Sequence, residues 1–170
     1  MSEAIPERVD LIKAARQSSQ YSGTYSISRM QRLAELLADD SGLATVNIKF
    51  DMTGQKDAYL SGTASADVVV YCQRCMQPMS DVIEADFQLR LMENEDELES
   101  LPEEVDAYHV AEVPSSLLAI IEDELILAKP LISMHPPYEC DATEYLKDRQ
   151  VKDDRPDNPF EALKDLKIDG

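Results

Sequence analysis

Long hydrophobic runs are missing from this sequence. The stretch from Leu117 to Leu127 is interrupted by three acidic residues at positions 122–124, whereas a membrane-spanning helix needs about 20 consecutive apolar residues. The first ten residues also lack the apolar run of a secretory signal. The sequence therefore predicts a protein that remains in the cytoplasm.

Cysteine is scarce, with only three residues, Cys72, Cys75 and Cys140. An odd number of cysteines in a chain without an export signal argues against a disulfide framework. The three side chains are therefore expected to be metal ligands, reactive thiols or small buried apolar groups.

Glycine is also scarce, and this bears on catalysis. The five glycines do not cluster, so no glycine-rich phosphate loop is present. The sequence contains neither a Gly-x-Ser-x-Gly elbow nor a His-Glu-x-x-His motif. These absences favour a protein that is not an enzyme.

Basic residues are outnumbered two to one. Sixteen Lys and Arg against 34 Asp and Glu give a formal net charge of -18. Because nucleic-acid affinity comes largely from basic side chains that neutralise phosphates, this charge disfavours extensive direct contact with RNA. It favours basic partners such as ribosomal or ribosome-assembly proteins, although the same charge also suits a surface that only maintains solubility.

The hydrophobic pattern predicts helices first and strands afterwards. Helical spacing indicates two N-terminal helices, Asp10–Gln17 and Ser28–Ala38, joined by a connector over residues 20–25. Alternation with a period of two then indicates strands around Val46–Phe50, Tyr59–Tyr71 and Ile83–Leu91. Short links between these strands predict an antiparallel β-meander, with a close neighbour or bulge near Gly62.

A later helix completes the predicted fold. Residues 115–129 have helical spacing, with Leu117, Leu118, Ile121, Leu125 and Ala128 on the inner side and Glu122 and Asp123 facing water. The predicted class is α+β, with an antiparallel sheet, N-terminal helices and one packed helix near 115–129. We expect a single domain over residues 1–150.

Two charged segments are expected to lie outside the core. The acidic loop 92–106 carries eight acidic and no basic residues from position 93 onward, which suits either a solvated loop or an arm for a basic partner. Residues 151–170 form a flexible charged tail that holds a short amphipathic helix over 158–167. Its predicted partner-binding residues are the N-cap, the first helical residue and one apolar face: Asn158, Pro159, Phe160, Leu163 and Leu166.

The pair Cys72 and Cys75 is the strongest chemical signal. A two-residue spacing lets both sulfurs point to one side of a tight turn, as in zinc knuckles. Redox pairs share this spacing but lie at the start of a helix, whereas this pair lies between two predicted strands. His135 and Cys140 could complete four ligands for a structural zinc ion, while packing without a metal and thiol redox chemistry remain alternatives. Arg74, between the two cysteines, is a candidate contact for a partner or a neutraliser of nearby carboxylates.

The order of these features resembles the YceD family, the large ribosomal RNA subunit accumulation proteins. The resemblance rests on Tyr21-x-Gly23, Cys72-Gln73-Arg74-Cys75, the segment from Glu122 to Ala128 followed by Pro130, Met134-His135, Cys140, and Asn158-Pro159-Phe160 with Leu163, Leu166 and Lys167. Lys129 departs from the apolar residue expected before the proline. The resemblance implies a bacterial cytoplasmic factor for the synthesis, processing or accumulation of 23S ribosomal RNA, without an established catalytic activity.

Three functional hypotheses follow. The first is a non-catalytic accessory factor for biogenesis of the large ribosomal subunit that acts mainly through protein partners. The second is a thiol-dependent redox or RNA-processing enzyme that uses Cys72 and Cys75. The third is an acidic mimic of nucleic acid that occupies a basic binding site.

Overall fold

A computed structural model describes residues 5–54, 57–94, 101–102 and 105–142. The chain divides into two compact units, Met1–Met134 and His135–Gly170. The elements of the first unit are β1 (Arg8–Val9), α1 (Leu11–Arg16), β2 (Gln20–Ser26), a 3-10 turn (Ile27–Arg29), α2 (Gln31–Ala34), β3 (Leu43–Thr53), β4 (Asp57–Tyr71), β5 (Pro78–Met92), β6 (Ala107–His109), β7 (Ser115–Ser116) and α3 (Leu117–Ala128). The predicted α+β class is confirmed.

The centre of the fold is a five-stranded sheet in the order β2-β3-β4-β5-β6. The first four strands run antiparallel to their neighbours, and β6 is parallel to β5. Side chains along β3, β4 and β5 alternate between buried and more exposed positions, which places their apolar residues on one face of the sheet. The predicted meander is therefore confirmed for these three strands.

Helices α1 and α3 cover the buried face. Helix α1 packs against β3 and β4, and α3 packs against β5 and β4. Asp10 caps α1, because its carboxylate accepts a hydrogen bond from the backbone N–H of Lys13. The largest fully buried side chains of this core include Leu11, Ile27, Leu33, Phe50, Leu60, Ile83, Leu117, Ile121 and Leu125.

Two N-terminal predictions were wrong in their extent. The expected connector over residues 20–25 is strand β2, which pairs along its length with β3. Its polar sequence lacks clean alternation because an edge strand is held mainly by backbone hydrogen bonds to its neighbour. The expected helix Ser28–Ala38 is instead a 3-10 turn followed by the four-residue α2, and Met30, with a ψ of 80°, separates the two.

Gly62 confirms the expected close neighbour within β4. A Cβ atom at this position would lie 2.3 Å from the carbonyl oxygen of Asn47 and 2.9 Å from the Cα of Ile48. Both atoms belong to the backbone of β3, and the β3–β4 pairing continues in both directions along the strand from Gly62. The backbone cannot move aside as a flexible side chain would.

Gly62→Ala is therefore expected to destabilise the fold by about 2–4 kcal/mol, because β3 and β4 must separate to admit the methyl group. Urea unfolding of the two proteins measures this difference. Gly23→Ala is the matched control, since its Cβ would meet only the Ile5 side chain at 3.4 Å, and we expect a change below about 1 kcal/mol. If both substitutions lowered the free energy of unfolding equally, the close contact of Gly62 with the β3 backbone would not explain the effect.

The remaining predictions on organisation concern residues beyond this core. The predicted helix 158–167 and the partner-binding residues Asn158, Pro159, Phe160, Leu163 and Leu166 lie outside the described residues, as does much of the acidic loop 92–106. Among the residues that the structure describes, no helix is long and apolar enough to cross a membrane.

Candidate metal centre at the cysteine hairpin

The hairpin between β4 and β5 places Cys72 and Cys75 at the end of the sheet. The backbone N–H of Cys72 donates to the carbonyl of Gln77, and this bond closes a four-residue loop. The N–H of Met76 donates back to the carbonyl of Cys72, and Met76 adopts a left-handed φ of 59°. This tight turn brings the two cysteines to one side of the loop, with Cys72 buried and Cys75 half-buried.

The chain segment that follows α3 is attached to this hairpin. The carbonyl of Ser133 accepts a hydrogen bond of 2.9 Å from the backbone N–H of Gln73. The hydroxyl of Ser133, which is buried, donates to the carboxylate of Asp81 at 2.9 Å. Because Ser133 is held at the hairpin, the chain passes the cysteine pair two residues before His135. Neither Ser133 nor Asp81 carries a sequence signal for this role, and both were missed.

The second unit is described over residues 135–142. Within it, the N–H of Glu139 donates to the carbonyl of Pro136 and closes a turn, and Cys140 follows this turn directly. A turn is expected here because two consecutive prolines cannot continue a helix.

The four sequence-predicted ligands lie close together. One ligand atom from each of Cys72, Cys75, His135 and Cys140 lies within 4.8 Å of every other. In a tetrahedral site with metal–sulfur distances near 2.3 Å, ligand atoms lie about 3.8 Å apart. The four residues are therefore close enough to hold one metal ion, and three sulfurs with one imidazole nitrogen are a ligand set that suits zinc.

The geometry also bears on the redox alternative. All three cysteines of the chain are described, and they are thiols rather than disulfides in the structure. The pair lies on a strand–loop–strand hairpin, whereas redox Cys-x-x-Cys pairs lie at the start of a helix. Convergence of a histidine and a third cysteine on the pair has no role in a two-cysteine redox cycle, whereas it supplies a full ligand set.

Arg74 projects from the loop between the cysteines. Its guanidinium lies 3.7 Å from the sulfur of Met134, and the side chain is half-buried. Its assignment to partner binding stays a prediction. His109 lies on β6.

The acidic triplet of α3 does not form the solvated face that we expected. Glu122 is buried, with 6% of its surface exposed, and it accepts hydrogen bonds from the backbone N–H groups of Arg32 and Leu33 at 2.7 and 3.1 Å. Its other carboxylate oxygen pairs with the guanidinium of Arg32 at 2.9 Å, and Asp123 pairs with the same guanidinium. Hydrogen bonds to these two carboxylates raise the pKa of Arg32 above its usual range. Glu122 and Asp123 therefore hold the first turn of α2 against α3.

The third member of the triplet, Glu124, lies in a different environment. Partial burial raises the pKa of its carboxyl, and the negative charges of Asp106 and Asp123 raise it further. A carboxyl whose pKa is higher in the folded chain than in the unfolded chain binds its proton more tightly when folded. The folded state is therefore penalised as the pH rises through these pKa values.

Glu124→Gln is expected to stabilise the protein at pH 7, because the neutral amide removes this penalty. The gain in thermal midpoint should disappear as the pH falls below the usual range for glutamate, where the carboxyl is protonated in both states. Thermal unfolding of the wild type and Glu124→Gln, from pH 7 to below the usual pKa range of glutamate, measures the difference in thermal midpoint. Glu35→Gln, at an exposed position, is the matched control and should show no comparable pH-dependent gain. If Glu124→Gln raised the thermal midpoint equally at acid pH, the charge of the Glu124 carboxylate would not be the cause of the gain.

The described residues define a small α+β protein whose β4–β5 hairpin carries Cys72 and Cys75 in its loop. Residues 60–167 match the family model of the large ribosomal RNA subunit accumulation protein YceD. The chain is 33% identical over 170 residues to the large ribosomal RNA subunit accumulation protein YceD of Haemophilus influenzae, and the match covers 96% of each chain. This chain belongs to the YceD family, as its sequence motifs indicated. No solved structure gives a significant match.

Proposed function

We propose that this protein is a non-catalytic accessory factor that supports the accumulation of 23S ribosomal RNA during biogenesis of the large ribosomal subunit. The observation that carries the proposal is the match along 96% of the chain to a relative named for this role. The missing enzyme motifs support an accessory rather than a catalytic role.

Depletion of the protein from the cells that make it tests this function. We expect the ratio of 23S to 16S ribosomal RNA to fall and to recover when the wild-type chain is supplied on a plasmid. The control is a plasmid with an early stop codon. An unchanged ratio under depletion would count against the proposed role.

We further propose that Cys72, Cys75, His135 and Cys140 hold a structural zinc ion. The ion would join the hairpin to the segment after α3, where Ser133 already contacts Gln73. Zinc would supply folding free energy rather than chemistry, because four protein ligands leave no open coordination position. The expected effect of disrupting the site is large and is treated in the Discussion.

We also propose that the protein acts through basic ribosomal or ribosome-assembly proteins, with an indirect association with ribosomal RNA. The charge of -18 supports this choice of partner, since opposite charges accelerate encounter and select the partner. The tail residues Phe160, Leu163 and Leu166 would bind as a short amphipathic helix in a groove of the partner, and Arg74 would add a contact at the hairpin.

Affinity purification with and without ribonuclease tests the partner class. We expect basic ribosomal or assembly proteins to remain bound after ribonuclease treatment. A Phe160→Ala/Leu163→Ala/Leu166→Ala chain should lose them, whereas the matched Glu161→Ala/Lys164→Ala/Asp165→Ala chain should retain them. Loss of all partners on ribonuclease treatment would contradict binding through proteins.

A further inference from the structure

Strand β5 has an edge that its neighbours leave largely open. On one side, β5 pairs with β4 from Pro78 to Leu91. On the other side, β6 covers only Arg90–Met92. Within the part of the chain that the structure describes, no strand pairs with this outer edge between residues 78 and 89. An open edge presents a row of backbone donors and acceptors that can accept a further strand.

The register shows which backbone groups point outward. The N–H of Arg90 donates to Asp106, and the carbonyl of Met92 accepts from Val110, both on the β6 side. Because backbone groups alternate in direction along a strand, those of Glu84, Asp86 and Gln88 point to the same side. This outward row directly continues the line of hydrogen bonds that β6 begins.

A cavity of about 430 Å³ lies along this edge. It contacts three consecutive residues, Glu84, Ala85 and Asp86. Since successive side chains of a strand point to opposite faces, a cavity that touches all three lies along the edge rather than over one face. Leu89 of β5 and Leu127 of α3 give it an apolar lining, and Leu127 is 79% exposed. We call this cavity and the adjoining edge of β5 the β5 groove.

The charge around the β5 groove has a single sign. Four carboxylates line it, from Glu84, Asp86, Asp106 and Glu124, and none of its described lining residues is basic. Burial raises the pKa of Glu124, and the negative charges of Asp106 and Asp123 raise it further; a cation placed in the groove would relieve this repulsion. The groove therefore complements an extended segment that carries both positive charge and apolar side chains.

We propose that the β5 groove binds an extended, positively charged segment of a partner protein, which adds a strand to the sheet beside β6. Backbone hydrogen bonds to Glu84, Asp86 and Gln88 would hold the segment. Its apolar side chains would lie on Leu89 and Leu127, and its Lys or Arg side chains, on the opposite face of the added strand, would reach the carboxylates of Glu84 and Asp86. The proposal rests on the proposed function only for the basic character of the partner.

Charge also distinguishes this occupant from a second copy of the chain. Two copies that paired through their β5 edges would bring the acidic residues at positions 84 and 86 of each strand close together. Like charges that face each other across strands are destabilising, and both chains carry -18 overall. A cationic segment meets neither obstacle.

The test uses the full-length ¹⁵N-labelled chain and a synthetic probe, a short capped peptide that alternates valine or threonine with arginine and lysine. We expect the amide signals of Glu84, Asp86 and Gln88 to shift on titration, with an affinity that falls as salt increases. Two control peptides separate the contribution of the positive charge from that of the backbone hydrogen bonds. One replaces Arg and Lys by glutamine, and the other carries N-methyl groups on alternate amides, which block strand pairing. Each should bind at least about tenfold more weakly, because one lacks the charge and the other lacks the backbone donors.

Protein variants test the same contacts from the other side. Glu84→Gln/Asp86→Asn should weaken binding about tenfold, whereas Glu35→Gln/Asp40→Asn, which makes the same charge change at exposed positions outside the groove, should leave it unchanged. Asp86→Pro should bind more weakly than Asp86→Asn, since proline removes the outward N–H without removing a bond to β4. If Asp86→Pro does not fold, the N-methyl peptide still decides whether strand pairing occurs.

Several results would overturn the proposal. These are equal binding by the neutral or the N-methylated peptide, shifts confined to another surface, and shifts of the β5 amides with protein concentration alone, which would indicate a second copy. Slow hydrogen exchange of the same amides without peptide would show that the chain's own segment occupies the edge. None of these outcomes depends on the 23S to 16S ratio, so failure of the groove and failure of the proposed function are distinguishable.

Discussion

Cys72→Ser is expected to abolish zinc binding and to lower the thermal midpoint of unfolding by about 10 °C or more. The wild-type chain, purified without chelator, should carry about one zinc ion. Loss of one of four ligands leaves an incomplete site, and the folding free energy supplied by the ion is lost with it. For a chain of this size, about 1 kcal/mol corresponds to a shift of about 2–4 °C, so a loss of several kcal/mol gives the expected change. Elemental analysis and calorimetry measure the two effects.

The two histidines provide a matched control for the metal centre. His135→Gln removes a proposed ligand, and His109→Gln makes the same substitution on β6, where the imidazole does not belong to the cluster. We expect His135→Gln to lower zinc occupancy and stability, and His109→Gln to retain the ion. Chelation of the wild-type protein should reproduce the loss of stability. Two results would contradict the zinc site: wild-type protein without stoichiometric zinc, or equal changes in zinc occupancy and stability in the two histidine variants. Either result would mean that the four side chains pack together without a metal.

Glu122→Ala is expected to destabilise the fold by about 3–5 kcal/mol. The side chain is buried and takes hydrogen bonds from the N–H groups of Arg32 and Leu33. Its removal leaves these donors without their acceptor, leaves the guanidinium of Arg32 with fewer partners and opens a cavity beside α3. Glu122→Gln should lose less, because its carbonyl oxygen can still accept one backbone hydrogen bond. Urea unfolding monitored by circular dichroism measures the series.

Asp123→Ala is the matched control for Glu122. Asp123 is the adjacent carboxylate and pairs with the same Arg32 guanidinium, but its side chain is 48% exposed. Ion pairs at such exposed positions contribute about 0–1 kcal/mol, so a small loss is expected. Similar losses for the two variants would mean that burial and the backbone hydrogen bonds of Glu122 contribute little.

The β5 groove and the proposed metal centre involve different parts of the β4–β5 hairpin. Cys72 and Cys75 lie at the loop before β5, whereas Glu84 and Asp86 lie along its outer edge. Loss of zinc and loss of peptide binding can therefore be measured separately. If the His135→Gln chain still binds the cationic peptide, the metal site stabilises the fold but is not part of the β5 groove.

The local pattern of the sequence determined the class of the fold and the identity of the four clustered residues. Alternation in β3, β4 and β5 was sufficient because each strand must bury one face, which is a property of consecutive residues. The two-residue spacing of Cys72 and Cys75 between two strands predicted a tight loop, which is also a property of consecutive residues. The family motifs were likewise visible in the order of short segments.

Tertiary structure decided the rest, because those features depend on residues far apart in the chain. The polar strand β2 is formed by its pairing with β3. Strand β6 runs parallel to β5, and nothing in its three residues predicts that orientation. Glu122 is buried because the first turn of α2, about ninety residues earlier, presents two backbone donors to its carboxylate. The hydrogen bond between Gln73 and Ser133 joins residues that are far apart in the sequence and carry no local signal for this contact. Periodicity records which side of an element is apolar, whereas the choice of partner is set by long-range register and hydrogen bonding.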